Sequence, residues 1–187
     1  MMQNNYKNLI FLFFILIQFQ LYSQEINWMS LDEVREAQKT NPKNVLIDLY
    51  TNWCGPCKLM DRNTFSNTDI IRIINENYYA VKFNAEGNKE VNFKGNIFKN
   101  PNYDPAKAQR RNASHELAQY YRIRSYPTIL FLDEEANLIT PVVGYKTPQQ
   151  LEIFLTIFKG DKYKEVKTQK AFNDYYEAFK PTFGQTK

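Results

Sequence analysis

The chain has 187 residues, which suits one domain with additions. With 43% hydrophobic residues, 14 Phe and 13 Tyr, it can bury a packed core. Its formal net charge is only +4, with basic residues scattered among acidic ones, so the charge pattern excludes a nucleic-acid-binding stripe.

The N-terminus reads as a targeting segment. Lys7 supplies a short positive region, and Leu9 to Ile17 form an unbroken apolar run that is too short for a comfortable membrane span. Leu21-Tyr22-Ser23 ends in a small residue where a signal peptidase can cut. Residues 1–23 are therefore expected to be a signal peptide cleaved near Ser23, with an uncleaved anchor as the alternative. No cysteine follows the apolar run, which argues against a lipoprotein. The remainder is expected to work in the periplasm or another extracytoplasmic space.

Ser30 to Glu33 spell a capping box, and a helix is expected from there to about Thr40, ended by Asn41-Pro42. Val45 to Tyr50 is a short apolar run, as for a strand buried on both faces. Gly55-Pro56 begins a helix to about Arg62, Asn67 or Thr68 caps another carrying Ile70, Ile71, Ile73 and Ile74, and Tyr79 to Asn84 reads as a strand. Residues 85–113 break this rhythm with Asn, Lys, Gly and Pro. Within them, a two-residue turn is expected at Gly95-Asn96, between short strands over 91–94 and 97–99. This segment is either a recognition flap or an insertion that covers an edge.

Ser114 is expected to cap a helix carrying Leu117, Tyr120 and Tyr121. Thr128 to Leu132 and Leu138 to Val143 form a hairpin across Asp133 to Asn137, and Thr147-Pro148 opens a helix through Phe158. Phe172, Tyr175, Tyr176 and Phe179 fall at helical spacing in the tail, as for a helix packed on the body or docking a partner. Strands alternate with helices and then give way to a hairpin and a closing helix. That order implies an α/β sandwich around a mixed sheet.

Both cysteines of the chain, Cys54 and Cys57, enclose only Gly55 and Pro56. A bridge across so small a loop staples little, so redox chemistry or metal binding remains. A thiol is a nucleophile only when ionised, and a helix N-terminus favours the thiolate. Cys54 stands at such a junction, and Cys57 follows one turn later. Cys54 is thus the candidate to attack a substrate disulfide, and Cys57 to resolve the mixed disulfide. Asp48 lies inside the apolar strand, where burial raises a carboxyl pKa and makes it a candidate acceptor for the Cys57 proton, directly or through water. Lys82, on the next strand, is its candidate partner. The alternative for both is a surface ion pair of little weight. Trp53 either packs or shields the sulfurs. Frequency alone favours a trans bond at Tyr126-Pro127. A metal carrier using Cys54, Cys57 and His115 is a rival reading, although His115 reads as a surface residue.

Together, Trp53-Cys54-Gly55-Pro56-Cys57-Lys58, Asp48, Lys82-Phe83-Asn84, Tyr126-Pro127-Thr128 and Val143-Gly144 before the last core helix resemble the thioredoxin family. The run from Val45 to Phe65 is also similar to the C-terminal periplasmic domain of the disulfide reductase DsbD. The resemblance covers about residues 43–158 apart from the insertion. It implies a thioredoxin-like fold, with an insertion over 85–113 before the family's third helix. The domain would span 24–159 and a C-terminal helical extension 160–187. It further implies a cis Pro127 against the disulfide and a substrate groove bordered by Trp53, Gly55, Pro56, Tyr126, Pro127 and Gly144. The backbone at Tyr126 would hold a peptide as a strand. The implied activity is reduction of disulfides in exported proteins, with the Cys54-Cys57 disulfide as the redox group, no metal and no other cofactor. Electrons would come from a membrane donor of the DsbD type, and no nucleic acid is involved. An oxidase or isomerase, or a non-catalytic binding module using the insertion and tail, are the alternatives.

Overall fold

Asn44–Tyr50 (β2) is buried at six of its seven positions, because it runs between two other strands and under helices on both faces. A computed structural model of the chain describes residues 25–166 and 168–183. The expected signal peptide lies outside the described residues. β2 runs parallel to Tyr78–Asn84 (β3) and antiparallel to Thr128–Leu132 (β6). Trp28–Met29 (β1) joins β3 in parallel, and Leu138–Val143 (β7) joins β6 antiparallel, giving the order β1-β3-β2-β6-β7. The sheet is mixed, as expected, with one short strand more than the sequence indicates. A two-residue strand has no alternation to read.

Alternation along β2 divides the core. Val45, Ile47 and Leu49 pack with Leu31 and Val34 of the helix Leu31–Gln38 (α1) and with Leu117 of a later short helix. Leu46 packs on the opposite side with Met60 of Gly55–Asn63 (α2), Ile70 and Ile74 of Thr68–Asn77 (α3), and Leu151 and Leu155 of a C-terminal helix. Asp48 shares the side of Leu46, and so faces α2. The ends of α1 and α3 follow the expected capping. Ser30 and Glu33 form the reciprocal box, and Asn67 Oδ1 accepts from the Asp69 and Ile70 amides. α1 stops at Gln38, two residues before the expected end.

The insertion contains a small hairpin, Val91–Phe93 (β4) with Asn96–Phe98 (β5). Its turn is Lys94-Gly95, one residue earlier than expected, with φ of 52° and 77°. A two-residue hairpin turn of this type needs positive φ at both positions, and pairing Phe93 with Asn96 leaves Lys94 and Gly95 between them. Val91 and Phe93 are buried with the α1 side of the core, so this part of the insertion packs over that side.

The next helix is Glu116–Tyr120 (α4), and its N-cap is His115 rather than Ser114. His115 is also not a surface residue: its exposure is 0%. Its Nδ1 accepts from the Leu117 amide at 3.1 Å, and its Nε2 lies 3.0 Å from the Lys89 carbonyl, so the fitting tautomer is neutral with the proton on Nε2. Burial holds its pKa below the usual value, consistent with that form. Both ring nitrogens are engaged by backbone, which leaves neither for a metal beside the cysteines.

Pro148–Phe158 (α5) starts from the Thr147 capping box and closes the core. Beyond it, Gln169–Ala178 (α6) lays Phe172 against Phe154, with ring centroids 6.2 Å apart. α6 buries no residue fully. The chain is fastened after it, where the buried Glu152 carboxylate accepts from the Thr182 amide (2.7 Å), the Thr182 hydroxyl (2.6 Å) and the Phe183 amide (2.9 Å). Replacing Glu152 by Ala removes the acceptors of all three hydrogen bonds, and hydrogen bonds to charged groups are the stronger kind. Glu152→Ala is expected to lower stability to denaturant by about 2 kcal/mol or more. Amide exchange should quicken at Thr182 and Phe183 before it does in β2.

Candidate active site

The chain leaves β2 at Tyr50 and turns into α2 within four residues. Cys54 is the N-cap of α2, with extended backbone, and its Sγ accepts from the Cys57 amide at 3.1 Å. Pro56 falls in the first helical turn, where a missing N–H costs nothing to the helix. One turn of helix brings Cys57 back to Cys54, and the two are joined as a disulfide with Cα atoms 5.3 Å apart. Cys54 and Cys57 are 2% and 3% exposed, whereas Gly55 and Pro56 are exposed. Approach to the sulfurs is therefore governed by the residues that surround them.

Beneath α2, Asp48 is paired in register with Lys82 across β2 and β3. Side chains in register on parallel strands share a face, and the Lys82 ammonium stands 3.4 Å from Asp48 Oδ2. Lys82 also forms an ion pair with Asp61 of α2 and lies over the rings of Trp28 and Tyr50 at 5.1 and 5.3 Å. Burial pushes the Asp48 pKa up to about 6; Lys82 opposes the rise and Asp61 adds to it. Asp48 Oδ1 has no hydrogen-bond partner among the described residues. The result is a carboxyl group that can take and return a proton near neutral pH. Asp61 was not expected from the sequence. It stands four residues after Cys57, on the same side of one helix, and that spacing is the signal that would have found it.

Trp53 is held from three sides. Its indole N–H donates to Glu86 Oε2 at 2.7 Å, its ring meets Tyr126 edge to face at 6.2 Å, and the Arg111 guanidinium lies over it at 4.9 Å. Glu86 Oε2 also accepts from the Asn112 amide at 2.8 Å, and Asn52 Nδ2 donates to the Ala108 carbonyl at 2.7 Å. The insertion is thus bonded directly to the residues before Cys54. Glu86, Arg111 and Asn112 lie in the irregular segment, where no periodicity marks them. The Tyr126-Pro127 bond is cis, against the expectation from frequency and in line with the resemblance. Gly144 has φ +83°, a conformation that side chains resist, and its amide donates to the Pro127 carbonyl at 2.8 Å. Trp53 and Tyr126 therefore stand together, as do Pro127 and Gly144.

The sequence pattern of the thioredoxin-like domain family matches residues 31–159. The chain belongs to that family. It is similar to the thiol:disulfide interchange protein DsbD of Colwellia psychrerythraea, with 26% identity over 113 residues, covering 58% of this chain and 14% of that one. It is also 29% identical over 133 residues to a thioredoxin of Acidithiobacillus ferridurans, covering 71% of this chain and 95% of that one. The chain thus spans a small part of the DsbD protein and nearly all of the thioredoxin. Among solved structures, a thioredoxin-fold protein from Helicobacter pylori superposes with a TM-score of 0.58 at 24% identity, covering 73% of this chain and 82% of that chain. A thioredoxin from Thermus thermophilus does so at 0.54 and 15%, covering 74% and 90%. These superpositions establish the fold of the family member.

The buried carboxyl carries a pH signature. Its native pKa of about 6 exceeds the ordinary 3.8, so the native state holds the proton more tightly than the unfolded chain. Its favourable contribution is complete below 3.8 and is lost as pH rises through about 6. Asp48→Asn, which carries no charge to bury, is expected to gain stability over wild type at pH 8, on the order of 2–3 kcal/mol. The gain should vanish near pH 4, as read by denaturant unfolding at both pH values.

Proposed function

We propose that this chain is an exported thiol–disulfide oxidoreductase that reduces disulfides in other exported proteins. The observation that carries the reading is the Cys54–Cys57 disulfide closed across the first turn of α2, with Cys54 Sγ at the helix N-terminus. In the reduced form the Cys54 thiolate attacks one sulfur of the substrate disulfide. The other substrate sulfur leaves as a thiol, and a mixed disulfide remains on Cys54. Cys57, losing its proton to Asp48, then attacks Cys54 and releases the second substrate thiol. Two electrons pass to the substrate and the Cys54–Cys57 disulfide is regenerated. Lys82 and Asp61 set the readiness of Asp48 to accept the proton. Trp53, Gly55, Pro56, Tyr126, Pro127 and Gly144 border the place where the substrate backbone lies.

Gly-Pro between the cysteines and the buried Asp48 support the reducing direction. Similarity to a DsbD protein supports a membrane electron donor of that type and an extracytoplasmic site of action. The disulfide itself is the only redox group the cycle needs.

Cys54→Ser is expected to reduce turnover of a protein disulfide to background. Cys57→Ser should instead accumulate mixed disulfides that gel electrophoresis without reductant resolves. Equilibration of the wild type with a glutathione buffer should place its potential nearer the about −270 mV of thioredoxins than the about −120 mV of a strong oxidant. A value at the oxidising end would assign the chain to disulfide formation. Full activity of Cys54→Ser would remove the mechanism.

A further inference from the structure

Beside Trp53 and Tyr126 lies an open groove of about 420 Å³, lined also by Glu86, Arg111, Arg124 and Ser125. Arg111 comes from the end of the insertion, and Arg124 from the loop just before the cis proline. Both are exposed, and neither forms an ion pair among the described residues. The one carboxylate in the lining, Glu86, already accepts from the Trp53 indole and the Asn112 amide through the same oxygen. The groove therefore carries two cationic side chains against one carboxylate, a surplus of one positive charge.

The local chain deepens this asymmetry. Residues 104–124 hold Lys107, Arg110, Arg111, Arg122 and Arg124 against Asp104, which pairs with Lys107, and Glu116, whose carboxylate accepts from the Lys99 amide. The Arg111 guanidinium lies 4.9 Å over the Trp53 ring centroid, which places it beside the indole at the groove. A planar guanidinium fork suits a carboxylate, which it can meet with two parallel hydrogen bonds.

We propose that this groove binds an acidic segment of the substrate polypeptide, with Asp or Glu side chains within a few residues of the disulfide to be exchanged. Arg111 and Arg124 are the specificity-determining residues. The inference rests on the exchange reading of Cys54 and Cys57, since it is that chemistry which brings a polypeptide to Trp53 and Tyr126. The insertion then acts as a selectivity element, and not only as a cover over the α1 side of the core.

Two measurements on the full chain test this. In the first, a cysteine-free acidic heptapeptide and its lysine counterpart are titrated into labelled protein while the Trp53 indole N–H and the Arg111 side-chain N–H are followed by NMR. The acidic peptide should shift both signals, with an affinity that weakens as salt is added, and the lysine peptide should shift neither. In the second, kcat/KM is compared for two disulfide peptides that differ only in Glu or Lys beside the cysteine. Wild type should favour the acidic peptide about tenfold, and Arg111→Gln with Arg124→Gln should bring the ratio near one. Equal shifts by both peptides, or a ratio that survives the double substitution, would overturn the proposal. Trp53 and Arg111 shifts with the acidic peptide, accompanied by no turnover of either disulfide, would uphold the groove and overturn the exchange reading instead.

Discussion

A single contact organises the site: the Cys57 amide donating to Cys54 Sγ at 3.1 Å across the first turn of α2. A sulfur in the N-cap position takes one of the helix's unsatisfied amides and lies at the positive end of its dipole. That place is favourable for a thiolate whenever the disulfide is open. It also fixes Cys57 at the distance at which the two sulfurs can rejoin. The location follows from the fold. β2 is the middle strand, buried on both faces, and it delivers Cys54 to the sheet end where α2 begins. Core residues such as Leu46 and Met60 matter because they hold strand and helix in that relation.

The setting of Asp48 comes from the same geometry. Alternation along β2 turns Asp48 toward α2, and parallel pairing in register places Lys82 beside it. Burial costs a carboxylate more than one ammonium returns when that ammonium is shared, and here Lys82 is shared with Asp61. The carboxyl thus sits near neutrality because three groups compete, with desolvation the largest influence. Asp61 lies on α2 itself, so the helix that carries Cys57 also carries one of the charges that set the Asp48 carboxyl.

Much of this was legible in the sequence because it depends on short-range rules. The apolar run 45–50 announced a central strand, a capping box announced α1, Thr147-Pro148 announced the start of α5, and a two-residue loop between cysteines argued against a mere staple. The misses lie where tertiary contacts decide. His115 is polar, but its two ring nitrogens find the Lys89 carbonyl and the Leu117 amide, so it caps a helix from inside the core. The hairpin turn shifted by one residue because a strand pairing, and not the turn residues alone, chose Lys94 and Gly95. Glu86 and Arg111 meet Trp53 only after an irregular segment has folded back, a contact that leaves no period in the sequence.

The insertion and the extension are fastened by different means. Asn52, Glu86 and Asn112 bond the insertion to the site, whereas Glu152 grips the chain end on the far side of α5. Among the described residues, only the first reaches those beside Cys54. The central claim is that the helix terminus makes Cys54, and not Cys57, the nucleophile. It is tested most directly by reducing the protein, exposing it briefly to a limiting alkylating agent at pH 7, and measuring modification of each cysteine by mass spectrometry. Cys54 is expected to be alkylated at least about tenfold faster than Cys57. Equal rates, or a faster Cys57, would contradict the account.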